Sequence, residues 1–180
     1  MPLCVGIYDR ADATMDAMFK SDLYTKDGLL TAQGSETFWD RSTLYAFRGG
    51  YAAGYADFIT EQLSYYSNRR LLGDHVPYPI EAWPEGSQRH LSAESGLYCR
   101  IITEGMFGIR PTGMRSFELK PEIPSSWEFA SLKSVRAFGS DFDIDVKRLA
   151  GDKLRVDVVE KGGKKQSFTI KQGKTLNVKL

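Results

Sequence analysis

The chain has 180 residues, 42% of them hydrophobic, and its 24 basic and 23 acidic residues leave a formal net charge of +1. This composition suits a globular protein with a core of ordinary size, in one domain or in two small ones. Because the charges balance and no long run of like charges occurs, the sequence predicts no nucleic-acid partner and no membrane partner.

Two amphipathic helices are predicted in the first part of the chain. Apolar side chains recur at helical spacing in residues 10–23 and again in residues 48–70. In the second helix, Tyr51, Tyr55 and Phe58 belong to one broad apolar face. Glycines near the start of that helix would allow another part of the chain to approach closely.

Between these helices, residues 24–42 are predicted to form a loop. The segment is rich in glycine, serine and threonine and ends in a cluster of aromatic and charged side chains that contains Trp39, Asp40 and Arg41. An aromatic ring beside a carboxylate suits sugar binding, since the ring covers a pyranose face while the carboxylate accepts paired hydroxyls. In the alternative interpretation, Trp39 belongs to the core and Asp40 caps a helix.

A second irregular segment lies in residues 77–109, where prolines keep the chain out of helical conformation before a third predicted helix over residues 93–107. Keeping many polar groups beside a buried helix is costly unless they satisfy one another or face a ligand. We therefore expect function here. The candidate side chains are Tyr78, Glu81, Trp83, Glu85, Arg89, His90 and Glu94.

After residue 113 the pattern changes to short strands of alternating apolar and polar residues, typical of an antiparallel sheet with one solvated face. The strands are predicted over residues 133–138, 142–148, 154–160, 167–171 and 175–180. The sequence therefore predicts an α+β fold with two parts. Residues 1–113 form a helical part, and residues 114–180 form a C-terminal β domain.

The two cysteines, Cys4 and Cys99, lie far apart and outside any metal-binding spacing, so we expect two buried thiols and neither a disulfide nor a zinc site. The histidines, His75 and His90, also lack suitably spaced partners, and no metal site is expected. The chain has no signal peptide, which predicts a cytoplasmic location as written, although a full-length parent could be exported.

Three stretches resemble motifs of one enzyme family. FWDRSTLYAFRGGYAAGYADF is similar to the segment that lines the sugar pocket of trehalase-like, glucosidase-like and rhamnosidase-like glycoside hydrolases. PIEAWPEG resembles their Glu-x-Tyr/Trp segment, and ITEGMFGIRPTG with FELKPEIPSSW resembles the joint between their last barrel helix and a β domain. Over nearly its whole length, the chain resembles the C-terminal part of a six-hairpin, (α/α)6-barrel glycoside hydrolase.

This resemblance implies α-helical hairpins from the end of an (α/α)6 barrel, followed by a small antiparallel β-sandwich-like domain. It implies hydrolysis of an oligo- or polysaccharide by inverting acid/base catalysis, with no cofactor. The family's catalytic acid belongs to an upstream part, so we expect the isolated chain to be inactive. Its expected partners are a carbohydrate substrate and either the missing half barrel or a second copy, through exposed apolar helix faces.

Inverting hydrolysis needs an acid and a base carboxyl roughly 6.5–9.5 Å apart, with a water molecule between the base and the sugar. The resemblance implies that Glu81 is the base, and Trp83 would offer an aromatic wall beside it. In the alternative interpretation, Glu81 forms a salt bridge with Arg89 or His90. Glu94 is the competing base, although its place in the first turn of a helix also suits the helix dipole.

The candidates for substrate contact are Trp39, Asp40, Arg41, Tyr78, Trp83, Glu85, Arg89 and His90. Arg41 and Arg48 are expected to hold Asp40 in place. Two other classes of function stay open: a non-catalytic carbohydrate-binding or assembly module, and an α/α-toroid polysaccharide lyase that would abstract a proton next to a uronate.

Overall fold

The computed structural model describes residues 1–73, 78–80, 82–83 and 92–180, with only the backbone for residues 82, 83 and 92. The described residues form an α+β fold whose sheets are antiparallel. The chain divides into two compact units, Met1–Gly105 and Met106–Leu180. This division lies upstream of residue 113, since the strand Arg110–Gly113 belongs to the second unit.

The helices of the first unit are α1 (Ala11–Met18), α2 (Asp40–Ala52), α3 (Ala56–Tyr66) and α4 (Ser92–Arg100). A short 3-10 helix, Pro2–Val5, precedes them. Two π-helical turns follow directly on helices: Ser67–Leu71 continues α3, and Ile101–Met106 continues α4. Such turns are rare in proteins and are frequent at functional sites.

The long helix predicted over residues 48–70 is in fact two helices, α2 and α3. They are separated at Gly54, whose φ of 96° is a left-handed conformation that glycine adopts without strain. The predicted close approach of another backbone is present at Gly49, where a Cβ would lie 3.3 Å from the backbone nitrogen of Cys4. At Gly50 the approach is by a side chain, since a Cβ there would lie 2.5 Å from Ile59. Glycine at this position therefore allows α2 and α3 to pack closely.

The apolar face predicted to be exposed on this segment is partly covered. Tyr51 is fully buried, and its hydroxyl lies 2.6 Å from Thr60 Oγ1. Phe58 remains 39% exposed and contacts the edge of the Phe19 ring, with the ring centroids 4.9 Å apart. The expectation of a wholly uncovered face is therefore wrong for Tyr51, which packs inside the first unit.

Short strands occupy the segment predicted as a loop. β1 (Tyr24–Thr25) and β2 (Gly28–Leu29) form a small hairpin, and β3 (Phe38–Trp39) leads directly into α2. β3 pairs antiparallel with β4 (Ala82–Trp83). This two-residue ladder joins two segments that are remote in sequence, and it places both at the beginning of α2.

The second unit contains two antiparallel sheets. Its strands are β5 (Arg110–Gly113), β6 (Ser116–Leu119), β7 (Phe129–Ala137), β8 (Ser140–Arg148), β9 (Lys153–Glu160), β10 (Lys165–Lys171) and β11 (Leu176–Lys179). One sheet has the order β10-β9-β8-β7 and the other has the order β11-β6-β5. All five strands predicted after residue 113 are therefore confirmed, with small differences at their ends.

Aromatic side chains connect the two sheets of the second unit. The ring of Phe117, on β6, stacks on Phe142 of β8 with centroids 5.3 Å apart and on Phe138 at 4.7 Å. The alternation predicted for β8 is also present, because Ile144 is buried while Asp145 bonds Lys133 Nζ at 2.6 Å on the outer face. One face of the four-stranded sheet thus forms core, and the other carries charged pairs.

Two expectations about the surface can be compared with the described residues. Cys99 is exposed and Cys4 is half-buried, so the prediction of two buried thiols is wrong for Cys99. The Cys4 thiol donates a hydrogen bond to the carbonyl of Tyr45 at 3.0 Å. In the part of the chain that the structure describes, no helix is both long enough and apolar enough to cross a bilayer.

Glu122 is a buried carboxyl of the second unit. It accepts a hydrogen bond from Gln172 Nε2 at 3.4 Å and lies 3.7 Å from Lys120 Nζ. Burial raises the pKa of Glu122 above its ordinary value of 4.5, and the positive charge of Lys120 offsets only part of this shift. The ionised form is therefore less favourable in the folded protein than in the unfolded chain.

We expect Glu122→Gln to alter the pH dependence of stability. Because the folded-state pKa of Glu122 is raised, its contribution to stability is fully present below the unfolded pKa and is lost as pH rises through the folded pKa. The free energy of unfolding of the variant, relative to the parent, should therefore increase as pH rises above 4.5. Urea unfolding at a series of pH values measures this difference, and a difference that does not change with pH would contradict the prediction.

Candidate functional site

The candidate site is organised by the beginning of α2. Trp39 occupies the N-cap position of this helix and is 38% exposed. In the β3–β4 ladder, Trp39 lies opposite Ala82, and Phe38 lies opposite Trp83. The structure therefore brings together two of the segments that carried the functional expectation, although they are far apart in the sequence.

Asp40, the first residue of α2, is only 1% exposed. Its carboxylate oxygens lie 3.1 and 3.2 Å from Arg70 Nη2, and Oδ2 also accepts a hydrogen bond from the backbone N–H of Ile80 at 2.8 Å. Arg70 belongs to the π-helical turn after α3 and is 3% exposed. Asp40 therefore connects three segments of the first unit through protein donors.

Burial dominates the electrostatics of this carboxylate. It raises the pKa of Asp40 above the ordinary value of 3.8, and the Arg70 charge and the Ile80 N–H offset this shift only in part. The Tyr66 hydroxyl lies close to both charges, without hydrogen-bonding geometry to a described residue. Burial and the neighbouring Asp40 charge raise the pKa of Tyr66 far above 10.0. Tyr66 therefore stays protonated at neutral pH.

The next residue of α2 makes a second ion pair. Arg41 Nε donates to Glu94 Oε1 at 2.6 Å, which joins the first turn of α2 to the first turn of α4. The Arg41 side chain is 38% exposed, whereas that of Glu94 is completely buried, and Glu94 Oε2 has no hydrogen-bond partner within the described parts of the chain. A cavity of about 310 Å³ lies beside this pair, between α2 and α4, and is lined also by Tyr45 and Arg100.

Two expectations about this cluster need correction. Neither Arg41 nor Arg48 holds Asp40, because Arg41 pairs with Glu94 and Arg48 pairs with Glu104. Arg70 does so instead, because the end of α3 brings its guanidinium to the buried carboxylate. The alternative with Trp39 in the core and Asp40 as a helix cap is also wrong. Trp39 is substantially exposed, and no side chain caps the start of α2.

The structure describes the other candidate residues to different extents. Tyr78 is half-buried, and Trp83 is described through its backbone in β4. Four predicted residues lie outside the described residues: Glu81, Glu85, Arg89 and His90. The buried carboxylate of Asp40 is engaged by protein donors, and its contact with sugar hydroxyls stays a prediction.

Arg70 and Tyr66 were not among the residues predicted from the sequence. Their spacing nevertheless contained a signal, since Ile59, Leu63, Tyr66 and Arg70 follow one another at intervals of four, three and four residues. An arginine at the end of such an apolar stripe is directed toward the core and requires an acidic partner there. The identity of that partner, Asp40, depends on tertiary structure.

Comparison of the chain with known protein families, with curated proteins and with solved structures gave no significant match. The functional argument therefore depends on the residues themselves. Among residues 1–73, 78–80 and 92–180, no three side chains of histidine, cysteine, aspartate or glutamate lie together in a way that would hold a metal ion. The chemistry that the described cluster offers consists of an exposed tryptophan, a partly exposed arginine that is paired with Glu94, and two buried carboxylates.

Proposed function

We propose that this chain is the C-terminal part of an (α/α)6-barrel glycoside hydrolase. In its complete form, the enzyme would cleave glycosidic bonds of an oligo- or polysaccharide by inverting acid/base catalysis. In this proposal, the helices of the first unit belong to the last hairpins of the barrel, and the second unit is the β-sandwich-like domain that follows it. Glu81 is the general base.

The β3–β4 ladder carries the proposal. Glu81 lies outside the described residues, but both of its chain neighbours are held at the beginning of α2: Ile80 bonds Asp40, and Ala82 pairs with Trp39. An exposed indole and the chain neighbours of a candidate base thus occur at one place. This is the combination that glycoside binding and hydrolysis require, with an aromatic ring for the sugar face and a carboxylate for the water molecule.

The roles of the two carboxyl groups follow from this chemistry. Glu81 would accept a proton from the attacking water, while the carboxylic acid that protonates the leaving oxygen comes from the upstream part of the barrel. Trp39 would stack on the sugar ring. Since the chain supplies one of the two carboxyl groups, binding of sugar and hydrolysis of sugar are separable in experiments on the 180-residue chain.

We expect Trp39→Ala to weaken oligosaccharide binding by the 180-residue chain about tenfold or more, which corresponds to about 1.4 kcal/mol. Isothermal titration calorimetry with a panel of neutral and acidic oligosaccharides measures this change. Trp127→Ala is the matched control, because Trp127 is 40% exposed but belongs to the second unit. Equal affinity of the two variants would contradict the assigned role of Trp39.

Glu81→Gln tests the catalytic part of the proposal. The isolated chain is expected to bind but not to cleave glycosides, and Glu81→Gln should leave that binding nearly unchanged. When the chain is joined to the catalytic half barrel, the same substitution should lower kcat by roughly 10²–10⁴-fold. Turnover by the isolated chain that Glu81→Gln abolishes would overturn the assignment of the acid to a separate segment.

A non-catalytic carbohydrate-binding or assembly module is the second candidate function. The observation that favours it is the exposed Trp39 beside a carboxylate, Asp40, that is buried and already bonded. A module would bind sugar through Trp39, and Glu81→Gln would leave its affinity for sugar unchanged, even when the chain is joined to the upstream segment. The lyase hypothesis depends on Tyr78, Arg89 and His90, and the last two of these lie outside the described residues.

A further inference from the structure

The first turn of α2 makes two ion pairs from consecutive residues, one buried and one partly exposed. Asp40 bonds Arg70 and the N–H of Ile80, which lies two residues before β4. Arg41 bonds Glu94, at the beginning of α4. One helical turn therefore holds the chain before β4 on one side and the start of α4 on the other, with the exposed Trp39 directly beside both.

We propose that Asp40 and Glu94 are positioning residues, which hold β4 and the start of α4 in place relative to Trp39 and do not contact the substrate. Asp40 acts together with Arg70, and Glu94 acts through Arg41. The meaning of this arrangement for catalysis rests on the proposed function, because the residue that follows Ile80 is the proposed base, Glu81.

The energetics of the Asp40–Arg70 pair favour a positioning role. Replacing a buried ion pair with well-packed apolar residues is often neutral or stabilising, so stability alone gives little reason for this pair. Its geometry supplies another reason, because the Asp40 carboxylate also fixes the backbone of Ile80 at 2.8 Å. Arg70 contacts the Asp40 carboxylate from a π-helical turn, which is a rare element that departs from regular α-helical geometry.

A stabilising role does not explain Glu94 either, for a different reason. Among the residues that the structure describes, one of its buried oxygens has no hydrogen-bond partner, and a buried oxygen without a partner costs free energy that a bonded one would not cost. Its other oxygen fixes the orientation of Arg41, the residue after Trp39, whose side chain is 38% exposed. Because Glu94 itself has no exposed side-chain area, the geometry assigns it to orienting Arg41 and not to the alternative role of catalytic base.

Asp40→Asn tests the role of Asp40 in the intact 180-residue chain. The amide is uncharged, and its NH2 group takes the place of one of the two oxygens that face Arg70 Nη2, so the remaining oxygen holds Arg70 and the Ile80 N–H less strongly than the carboxylate does. We expect the Ile80 amide to exchange with solvent at least tenfold faster. The amides of Ile59 and Leu63, in α3, should exchange as in the parent. A merely structural role would instead accelerate exchange throughout the first unit.

The control is Asp9→Asn, at an exposed aspartate, which should leave exchange and binding unchanged. Glu94→Gln is a second variant, since its partner Arg41 is already partly in water and the substitution threatens folding less. It should weaken oligosaccharide affinity by about threefold or more, without faster exchange in α3. Affinity equal to that of the parent would overturn the role of Glu94.

The outcomes separate this inference from the proposed function. If no oligosaccharide binds the parent chain, the proposed function fails, and the exchange rate of Ile80 alone decides the anchoring role of Asp40. If sugar binds but Asp40→Asn leaves both the Ile80 exchange rate and the affinity at control values, the inference is overturned while the proposed function stands. Faster exchange at Ile80 together with weaker affinity supports both.

Discussion

Replacing Asp40 with alanine is expected to lower the free energy of unfolding of the first unit by about 3–5 kcal/mol. The substitution takes the carboxylate away from Arg70, which is 3% exposed, and removes the acceptor of the Ile80 N–H. Desolvated groups that lose such a partner are costly, because water does not reach them in the folded protein. Urea unfolding followed by far-ultraviolet circular dichroism measures the change.

The matched control is Asp9→Ala, at an exposed aspartate, which should stay within about 0.5 kcal/mol of the parent. The double variant Asp40→Leu with Arg70→Met should recover much of the lost stability, because it removes both buried charges together. A loss below about 1 kcal/mol in Asp40→Ala would show that water reaches the pair and would contradict the burial described.

Phe117→Ala is expected to destabilise the second unit by about 3–5 kcal/mol. Phe117 is fully buried on β6, and its ring stacks on the rings of Phe138 and Phe142 between the two sheets. Its removal loses the transfer free energy of an aromatic ring and leaves a cavity that the surrounding strands fill only in part. Hydrogen exchange at amides of β8 and β9 measures the local loss of stability.

Phe129→Ala is the control for that substitution. The residue type and the change are the same, and Phe129 also belongs to the second unit, but it is 68% exposed. Its removal should change stability by no more than about 0.5 kcal/mol. Similar effects of the two substitutions would mean that the stacked rings do not form the contact between the sheets.

The β part of the fold was predictable because its pattern is local. Phe142, Ile144 and Val146 alternate with charged residues, and this period of two defines a strand with one buried face whatever the rest of the chain does. The helical part was less predictable. The apolar stripe continues across the break at Gly54, so periodicity indicated one helix where a left-handed residue separates two. The two-residue strands β3 and β4 are too short for any periodic pattern.

The candidate site was predictable in its composition but not in its pairings. Sequence reasoning singled out Trp39, Asp40 and Arg41 from their types and order. The expected partners of Asp40 were Arg41 and Arg48, whereas the structure has Arg70 in that role. Consecutive residues on a helix point in different directions, so neighbours in sequence are poor candidates for pairing through side chains. The actual partners come from elements whose placement only the tertiary structure determines.

The adjacency of Asp40 and Arg41 also has a consequence for the tolerance of α2 to insertions and deletions. Side chains of consecutive helical residues point roughly 100° apart. A single rotation of the helix about its axis therefore directs Asp40 toward Arg70 and Arg41 toward Glu94. A shift of one residue at the start of α2 would turn Arg41 toward Arg70 and bring like charges together. The opposite signs of two neighbouring residues thus fix the rotation of the helix, and with it the direction of Trp39.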